Sequence, residues 1–302
     1  MSGVTTTDSL RDPETNEKLF ADIYAQSMVV ARQSAVMPGL VRVFNDRTGA
    51  EARIASERGE VKATNVDEGT PIPLTEATKA KLASLTPGEY GASNEITTRA
   101  QRTDPDLVAD YAMMFGQAMA RKADQNLTAS FANFTQDDIG DADDTFSVEH
   151  IEVAAALLRD QEIPGEMVCV MNERQWFGIR KDQSIDKDIT NAPEELRVAM
   201  LRNRYMGNLG EVRLVVTPHV PTDVASEGAT ATAGLFIVGQ ALAMDVRQAP
   251  AYDAHWLGGR ERKWEYSIVA DGGFGVWRPN YGVPITTSSP VPAIDRSASY
   301  DA

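Results

Sequence analysis

The most restrictive feature of this sequence is the stretch between residues 40 and 100, which is long, polar and poor in large apolar side chains. Seven basic and eight acidic residues are interleaved between residues 40 and 90, and residues 61–101 contain three prolines. Such a segment buries too little apolar surface to fold on itself. A loop of this length is uncommon inside a compact domain unless it has a function or packs on another chain. We therefore expect residues 50–85 to lie over another subunit and to contribute few contacts to their own core.

The segments before this stretch have regular patterns. Residues 16–35 carry Leu19, Phe20, Ile23, Tyr24, Met28 and Val29 or Val30 near helical spacing, which predicts an amphipathic N-terminal arm. Two short strand-like runs, 40–44 and 51–54, then flank a turn at 45–49 that ends in glycine.

The clearest helix of the sequence follows at residues 104–130. Asp104 is a good N-cap, and Pro105 suits the first helical position. At about 1.5 Å per residue this helix spans roughly 39 Å. One apolar stripe predicts the face that meets the core; its members are Leu107, Tyr111, Met114, Phe115 and Ala118.

Helices and strands alternate between residues 147 and 247. Ser147 caps a helix with Val148, Ile151, Ala155 and Leu158 on one face, and residues 166–171 form a buried strand. Residues 172–175 read as a capping box that opens a further helix. Strands are also predicted at 212–216 and 234–238, and at 263–286 with a glycine-rich turn at 271–273. This order indicates an α+β or α/β domain.

The charge and the apolar pattern exclude several classes of protein. The formal net charge is −15, and eight of these negative charges are the local excess within residues 101–160, so avid binding to phosphate backbones is not expected. No apolar run approaches the roughly twenty residues of a membrane span. The single cysteine excludes an internal disulfide, which favours synthesis in a reducing cytoplasm.

We find no catalytic motif and predict no catalytic, cofactor-binding or metal-binding residues. Sequences such as GxxxxGK[ST], GxSxG and HExxH are missing, and His150, His219 and His255 are far apart. Cys169 stands between two valines, as a small core residue does. The acidic run at 137–144 does not match the ligand spacing of a calcium loop, which favours a solvated loop, although the sequence leaves open whether it binds an ion.

The order of these parts resembles major capsid proteins of tailed bacteriophages that have the HK97-type fold. Val66-Asp-Glu-Gly69 and residues 89–97 are similar to the family's extended loop and following strand. Residues 104–130 resemble its spine helix, with an Ala120–Asp124 pattern near the end. Residues 147–176, 207–216 and 273–284 resemble later family elements, so the similarity runs from about 17 to 288.

The resemblance implies an α+β HK97-type capsid fold with five segments. These are an N-terminal arm at 1–36, an extended β-hairpin loop with the first peripheral-domain strands at 37–100, the spine helix and peripheral domain at 101–145, an axial α/β-like domain at 146–262, and returning peripheral-domain strands with the C-terminal tail at 263–302.

The implied function is that of a structural subunit that assembles into an icosahedral shell around phage double-stranded DNA and is not an enzyme. The implied partners are copies of itself in pentamers and hexamers, a portal protein, possible decoration proteins and DNA held by confinement. Because only about 36 residues precede the first hairpin strand, a separately encoded scaffolding protein is also expected. The expected location is the virion, after assembly in the host cytoplasm.

Two alternatives and one family reaction stay open at this point. The alternatives are an encapsulin-like compartment and a soluble α/β enzyme whose motif we do not recognise. Some family members also crosslink a loop lysine to a neighbouring subunit, and Lys62, Lys79 and Lys81 are the possible donors here. The sequence determines neither the triangulation number nor the host.

Overall fold

The computed structural model describes residues 35–58, 65, 79–97, 99, 107–185, 208–223, 230–257 and 262–289. Its α-helices with described bounds are α1 (Leu107–Thr128), α2 (Val148–Asp160) and α3 (Glu173–Ile185), and short 3-10 helices lie at Met37–Gly39, Ala129–Asn133 and Pro279–Tyr281. Its strands are, in chain order, β1 (Arg42–Phe44), β2 (Arg53–Arg58), β3 (Lys79–Leu85), β4 (Gly88–Thr97), β5 (Met167–Met171), β6 (Asn208–Leu209), β7 (Val212–Val216), β8 (Thr222–Asp223), β9 (Thr230–Ile237), β10 (Leu242–Leu257), β11 (Lys263–Val276) and β12 (Gly282–Ser288).

The first sheet has the strand order β1-β10-β11-β4 within the described residues. Strands β10 and β11 pair antiparallel over most of their length, from Leu242↔Val276 to Leu257↔Lys263. Helix α1 packs on one face, where Tyr266 and Ile268 of β11 meet Phe115 and Met119 of the helix. The alternation of Trp264, Tyr266 and Ile268 along β11 places these side chains on that same face.

The predicted glycine-rich turn at 271–273 is wrong, because these residues continue strand β11. Gly272 pairs with Val246 and Gly273 pairs with Asp245. A Cβ on Gly273 would come within 3.1 Å of the Thr86 carbonyl oxygen. The glycine therefore allows another segment of backbone to approach the strand closely.

The second sheet has the order β12-β9-β5-β7-β6, with β8 paired to β9, in the described part of the chain. All five residues of β5 are buried because both faces of the strand are covered, whereas Glu166, the first residue of the predicted buried strand, is exposed and precedes it. On one face Cys169 and Met171 pack with α2 residues such as Ile151 and Leu158. On the other face Val168 and Val170 pack with Leu127, Phe131 and Phe236.

The predicted caps of α2 and α3 are confirmed. The Ser147 N–H donates to Nδ1 of His150 at 3.1 Å, so a histidine closes the capping box of α2. At α3, Asn172 Oδ1 accepts the Arg174 N–H at 3.0 Å, and Gln175 Oε1 accepts the Asn172 N–H at 3.1 Å. These bonds satisfy N–H groups that have no partner inside the helix.

The predicted buried face of α1 is partly wrong. Met114 is 56% exposed and Ala118 is also exposed, whereas Phe115, Met119, Ala123 and Leu127 are buried. Tyr111 is half-buried, and the side chain of Leu107 and the predicted cap Asp104 lie outside the described residues. The α-helix ends at Thr128, and residues Ala129–Asn133 continue as a 3-10 helix.

The two short strands on either side of the turn at 45–49 lie in different sheets, since β1 pairs with β10 and β2 pairs with β3. Strands β10 and β11, on either side of residues 258–262, pair with each other, and β12 lies in the second sheet beside β9. The division of the chain into five segments stays a prediction. Residues 1–34 of the predicted N-terminal arm (1–36) and residues 290–302 of the tail lie outside the described residues.

Candidate functional site

The extended hairpin, formed by β2 and β3, is the first candidate element for contact with other subunits. Its register runs from Arg53↔Leu85 to Arg58↔Lys79, with an irregularity between Ala55 and Ser56. Arg53, Ala55 and Leu85, which we call the hairpin root, are at most 7% exposed. The expectation that residues 50–85 contribute little to their own core is therefore wrong for the root.

The hairpin root is joined to the first sheet by buried ion pairs. Asp245 of β10 is fully buried, and its Oδ2 lies 3.1 Å from Arg53 Nε and 2.7 Å from Arg247 Nη2. Arg247 also donates to the Glu51 carbonyl oxygen at 2.7 Å. Arg53 forms a second ion pair with the exposed Asp46. We call Asp245, Arg53 and Arg247 the root ion cluster.

Aromatic contacts complete the surroundings of this cluster. The Arg53 guanidinium lies 4.2 Å from the centre of the Phe44 ring, and that ring lies 4.9 Å from the ring of Trp277. Burial opposes the charged form of Arg53, but its bonds to Asp245 and Asp46 outweigh this effect and raise its pKa above the ordinary value. The arginine therefore stays charged. The orientation of the hairpin is held by buried opposite charges, each of which would be costly without the other.

A second buried carboxylate joins the start of the described chain to helix α1. Asp124 is fully buried and accepts the N–H groups of Val36 at 3.2 Å and of Met37 at 3.0 Å. Its Oδ2 also lies 3.0 Å from Nδ1 of His219, in the segment after β7. Asp124 thus holds together three parts of the chain that are distant in sequence.

Sequence reasoning missed the roles of Asp124 and Asp245. Asp124 was noted only as part of a family-like pattern, although an acid beside Ala120, Ala123 and Leu127 on a buried helix face was a usable signal. Asp245 had no such signal, because its partner Arg53 is far away in the sequence and the two meet only where the hairpin root packs against the first sheet.

Most of the cysteine and histidine residues that were considered as catalytic or metal-binding candidates are buried, cap a helix or pair with a carboxylate. Cys169 is fully buried, and burial raises its pKa to about 12, so the thiol is protonated at neutral pH. His150 closes a helix cap and His219 pairs with Asp124, whereas His255 is exposed. Among the described residues, no three His, Cys, Asp or Glu side chains come together as a metal-binding group.

The acidic loop at 137–144 is attached to the edge of the second sheet. Asp138 Oδ1 accepts the Thr286 N–H at 3.0 Å, and Ile139 forms a bridge with Ile285 of β12. The other four aspartates of the loop are exposed, namely Asp137, Asp141, Asp143 and Asp144. Of the possible crosslink donors, Lys79 and Lys81 are exposed, and Lys62 lies outside the described residues.

Comparison with known proteins gives the family. The model of a family described as phage capsid protein matches residues 82–285, which is more than half of the 302-residue chain. The chain belongs to the phage capsid protein family. It is a structural protein, a major capsid protein whose copies assemble into the shell of a phage, and its location is the virion.

Solved structures share the fold of this capsid protein. A structure from Mycobacterium phage Che8 is 18% identical, with a TM-score of 0.62, and the match covers 83% of this chain and 90% of that one. The acid-stable capsid of Helicobacter pylori bacteriophage KHP30 is 11% identical, with a TM-score of 0.64 and coverage of 82% and 88%. No curated protein matches the sequence.

A likeness to a virus-like particle from Pyrococcus furiosus is weaker. It has 10% identity and a TM-score of 0.52, and it covers 88% of this chain and 98% of that one. At this identity it shows the fold alone.

The expected α+β fold of the HK97 type and the expected capsid function are confirmed. None of the helices in the described residues has both the length and the apolar character needed to cross a membrane.

Proposed function

We propose that this capsid protein closes its shell by laying the extended hairpin over a neighbouring subunit, while the root ion cluster holds the direction of the hairpin. The observation that carries the proposal is the contrast along the hairpin. Its root is buried in the subunit, whereas Lys79 and Lys81, which lie towards the tip, are exposed. At the root itself Ile54 is also exposed, on the opposite face of β2 from Arg53 and Ala55. Within the described residues β2 and β3 pair only with each other, and an isolated two-stranded hairpin is marginally stable in water. A neighbouring subunit supplies the missing surface.

The experiment shortens the hairpin without disturbing its root. Because Arg58 and Lys79 are cross-strand partners, residues 59–78 are replaced by Asn-Gly, which forms a tight two-residue turn. We expect the shortened subunit to melt like the wild type and to remain as small capsomers in sedimentation, with no closed shells in electron micrographs. The wild type, assembled in parallel, forms shells.

Two outcomes contradict this proposal. If the shortened subunit unfolds, residues 59–78 belong to the subunit's own core. If it closes normal shells, the hairpin beyond its root is not needed for closure.

We also propose that the subunit has no catalytic activity and acts only as a container. In support, the groups that resemble catalytic candidates are engaged in packing or capping, as described for Cys169, His150 and His219.

Further proposals come from the family resemblance. They are that DNA is confined without base-specific contacts, that a portal, a scaffolding protein and decoration proteins are partners, and that assembly takes place in the host cytoplasm. An encapsulin-like compartment gains no specific observation, because the family match is to phage capsids.

A further inference from the structure

Helix α1 has an apolar patch that nothing in the described residues covers. Met113 is 51% exposed and Met114 is 56% exposed. With Asp110, Gln117 and Arg121, which are also exposed, they form what we call the open stripe of α1. Two adjacent, half-exposed methionines on a helix whose large apolar side chains at Phe115, Met119 and Leu127 are buried mark a contact surface.

The open stripe continues a part of α1 that the N-terminal segment already covers. At 100° per residue, Met113 lies within about 20° of Asp124 around the helix axis, and Gln117 lies between them along the axis. At Asp124 the helix is covered by Val36 and Met37, whose N–H groups bind its carboxylate. Met37 is fully buried. The chain that precedes residue 35 therefore starts at one end of the stripe.

The length and the pattern of that preceding chain fit the stripe. Met113 is about 17 Å from Asp124 along the helix, and residues 16–34 span about 28 Å if helical. Their apolar side chains recur at helical spacing, with Leu19, Phe20, Ile23 and Tyr24 on one face and Lys18 and Asp22 away from it. The segment is thus long enough to reach the methionines and has an apolar face to bury them.

We propose that residues 16–34 dock on the open stripe of α1 in the same subunit and cover Met113 and Met114. The apolar face of the arm packs on the two methionines, and Asp124 holds its C-terminal end in place. This inference goes beyond the proposed function and does not depend on it, because the contact lies within one subunit. It is therefore tested on unassembled subunits, where the outcome of shell closure has no influence.

The first experiment is disulfide trapping. The natural Cys169 is fully buried, so two introduced cysteines are the accessible thiols. Phe20→Cys, Ile23→Cys and Tyr24→Cys are each combined with Met114→Cys and oxidised gently. We expect at least one pair to form an intrachain disulfide, seen as a faster-migrating monomer on a non-reducing gel. The control combines each arm cysteine with Glu152→Cys, an exposed position on α2, and should give no such band.

The second experiment uses the natural methionines and needs no cysteine. Mild peroxide oxidises accessible thioethers, and mass spectrometry measures the rate for each methionine. We expect Ile23→Asp to make Met113 and Met114 oxidise severalfold faster than in the wild type, because a charge on the arm's apolar face releases it. The buried Met37 and Met171 serve as internal references and should keep their rates.

The results that overturn the proposal are distinct for the two experiments. Disulfides that join two chains, seen as dimers on the gel, assign the stripe to a neighbour's arm. No disulfide with any of the three pairs, or equal methionine oxidation in wild type and Ile23→Asp, shows that residues 16–34 do not cover the stripe.

Discussion

Asp245 is the counter-ion of two arginines and has no exposed surface. Its isosteric replacement Asp245→Asn leaves Arg53 and Arg247 charged and without a buried partner. Breaking a buried ion pair on one side costs about 3–5 kcal/mol. We expect a loss of this size in the free energy of unfolding, measured by denaturant titration of unassembled subunits.

The matched control for Asp245→Asn is Glu166→Gln. Glu166 pairs with Arg213 at 3.3 Å, but both side chains are about half exposed. Exposed pairs contribute about 0–1 kcal/mol. Equal losses for the two variants would mean that the root ion cluster adds nothing beyond an ordinary surface pair.

At the scale of elements, the assignment of the buried face of helix α1 can be tested by mutation. Phe115 is 4% exposed and packs with Met119 and the strand β11. Phe115→Ala should lower the free energy of unfolding by about 3–5 kcal/mol, because it opens a cavity. Thermal or chemical unfolding measures the change.

Phe177→Ala on α3 is the control with the same chemical change. Phe177 is 47% exposed, so we expect a loss of about 1 kcal/mol or less. If the Phe177 variant were the more destabilised of the two, our assignment of the buried face of α1 would be wrong.

The negative charge of residues 101–160 is unevenly distributed among the elements. The net charge of −8 at 101–160 does not arise on the exposed face of α1, where Asp110 is offset by Arg121 and Lys122. It is concentrated in the loop at 137–144 and on α2, which carries Glu149, Glu152 and Asp160. The acidic surface therefore belongs to the second sheet and its helices.

For the whole molecule, the formal charge of −15 predicts weak binding to DNA. Clustered Lys and Arg are needed to neutralise the DNA phosphates, and the release of counter-ions from these phosphates drives binding. We expect no stable complex between unassembled subunits and duplex DNA in a filter-binding assay at about 0.1 M salt, where the Debye length is about 10 Å. Tight binding that weakens steeply with added salt would reveal a basic surface and contradict the expectation.

Much of the fold was accessible from the sequence because its signals are local. The caps at Ser147 and Asn172 and the buried strand at 167–171 depend on neighbours within a few residues. The order of a polar stretch at 40–100, a long helix and an alternating α/β region resembles the capsid family, and the family match confirms it.

The tertiary structure decided what depends on distant residues. Met114 and Phe115 are both apolar, so periodicity alone did not determine which side of α1 the first sheet covers. Gly273 is predicted as a turn residue, but it is a strand residue paired with Asp245, and the close approach of the Thr86 backbone explains why it is a glycine. Arg53 and Asp245 are 192 positions apart and lie in different sheets, and only the packing of the hairpin root against the first sheet brings them together. In that buried site each charge is compensated by the other.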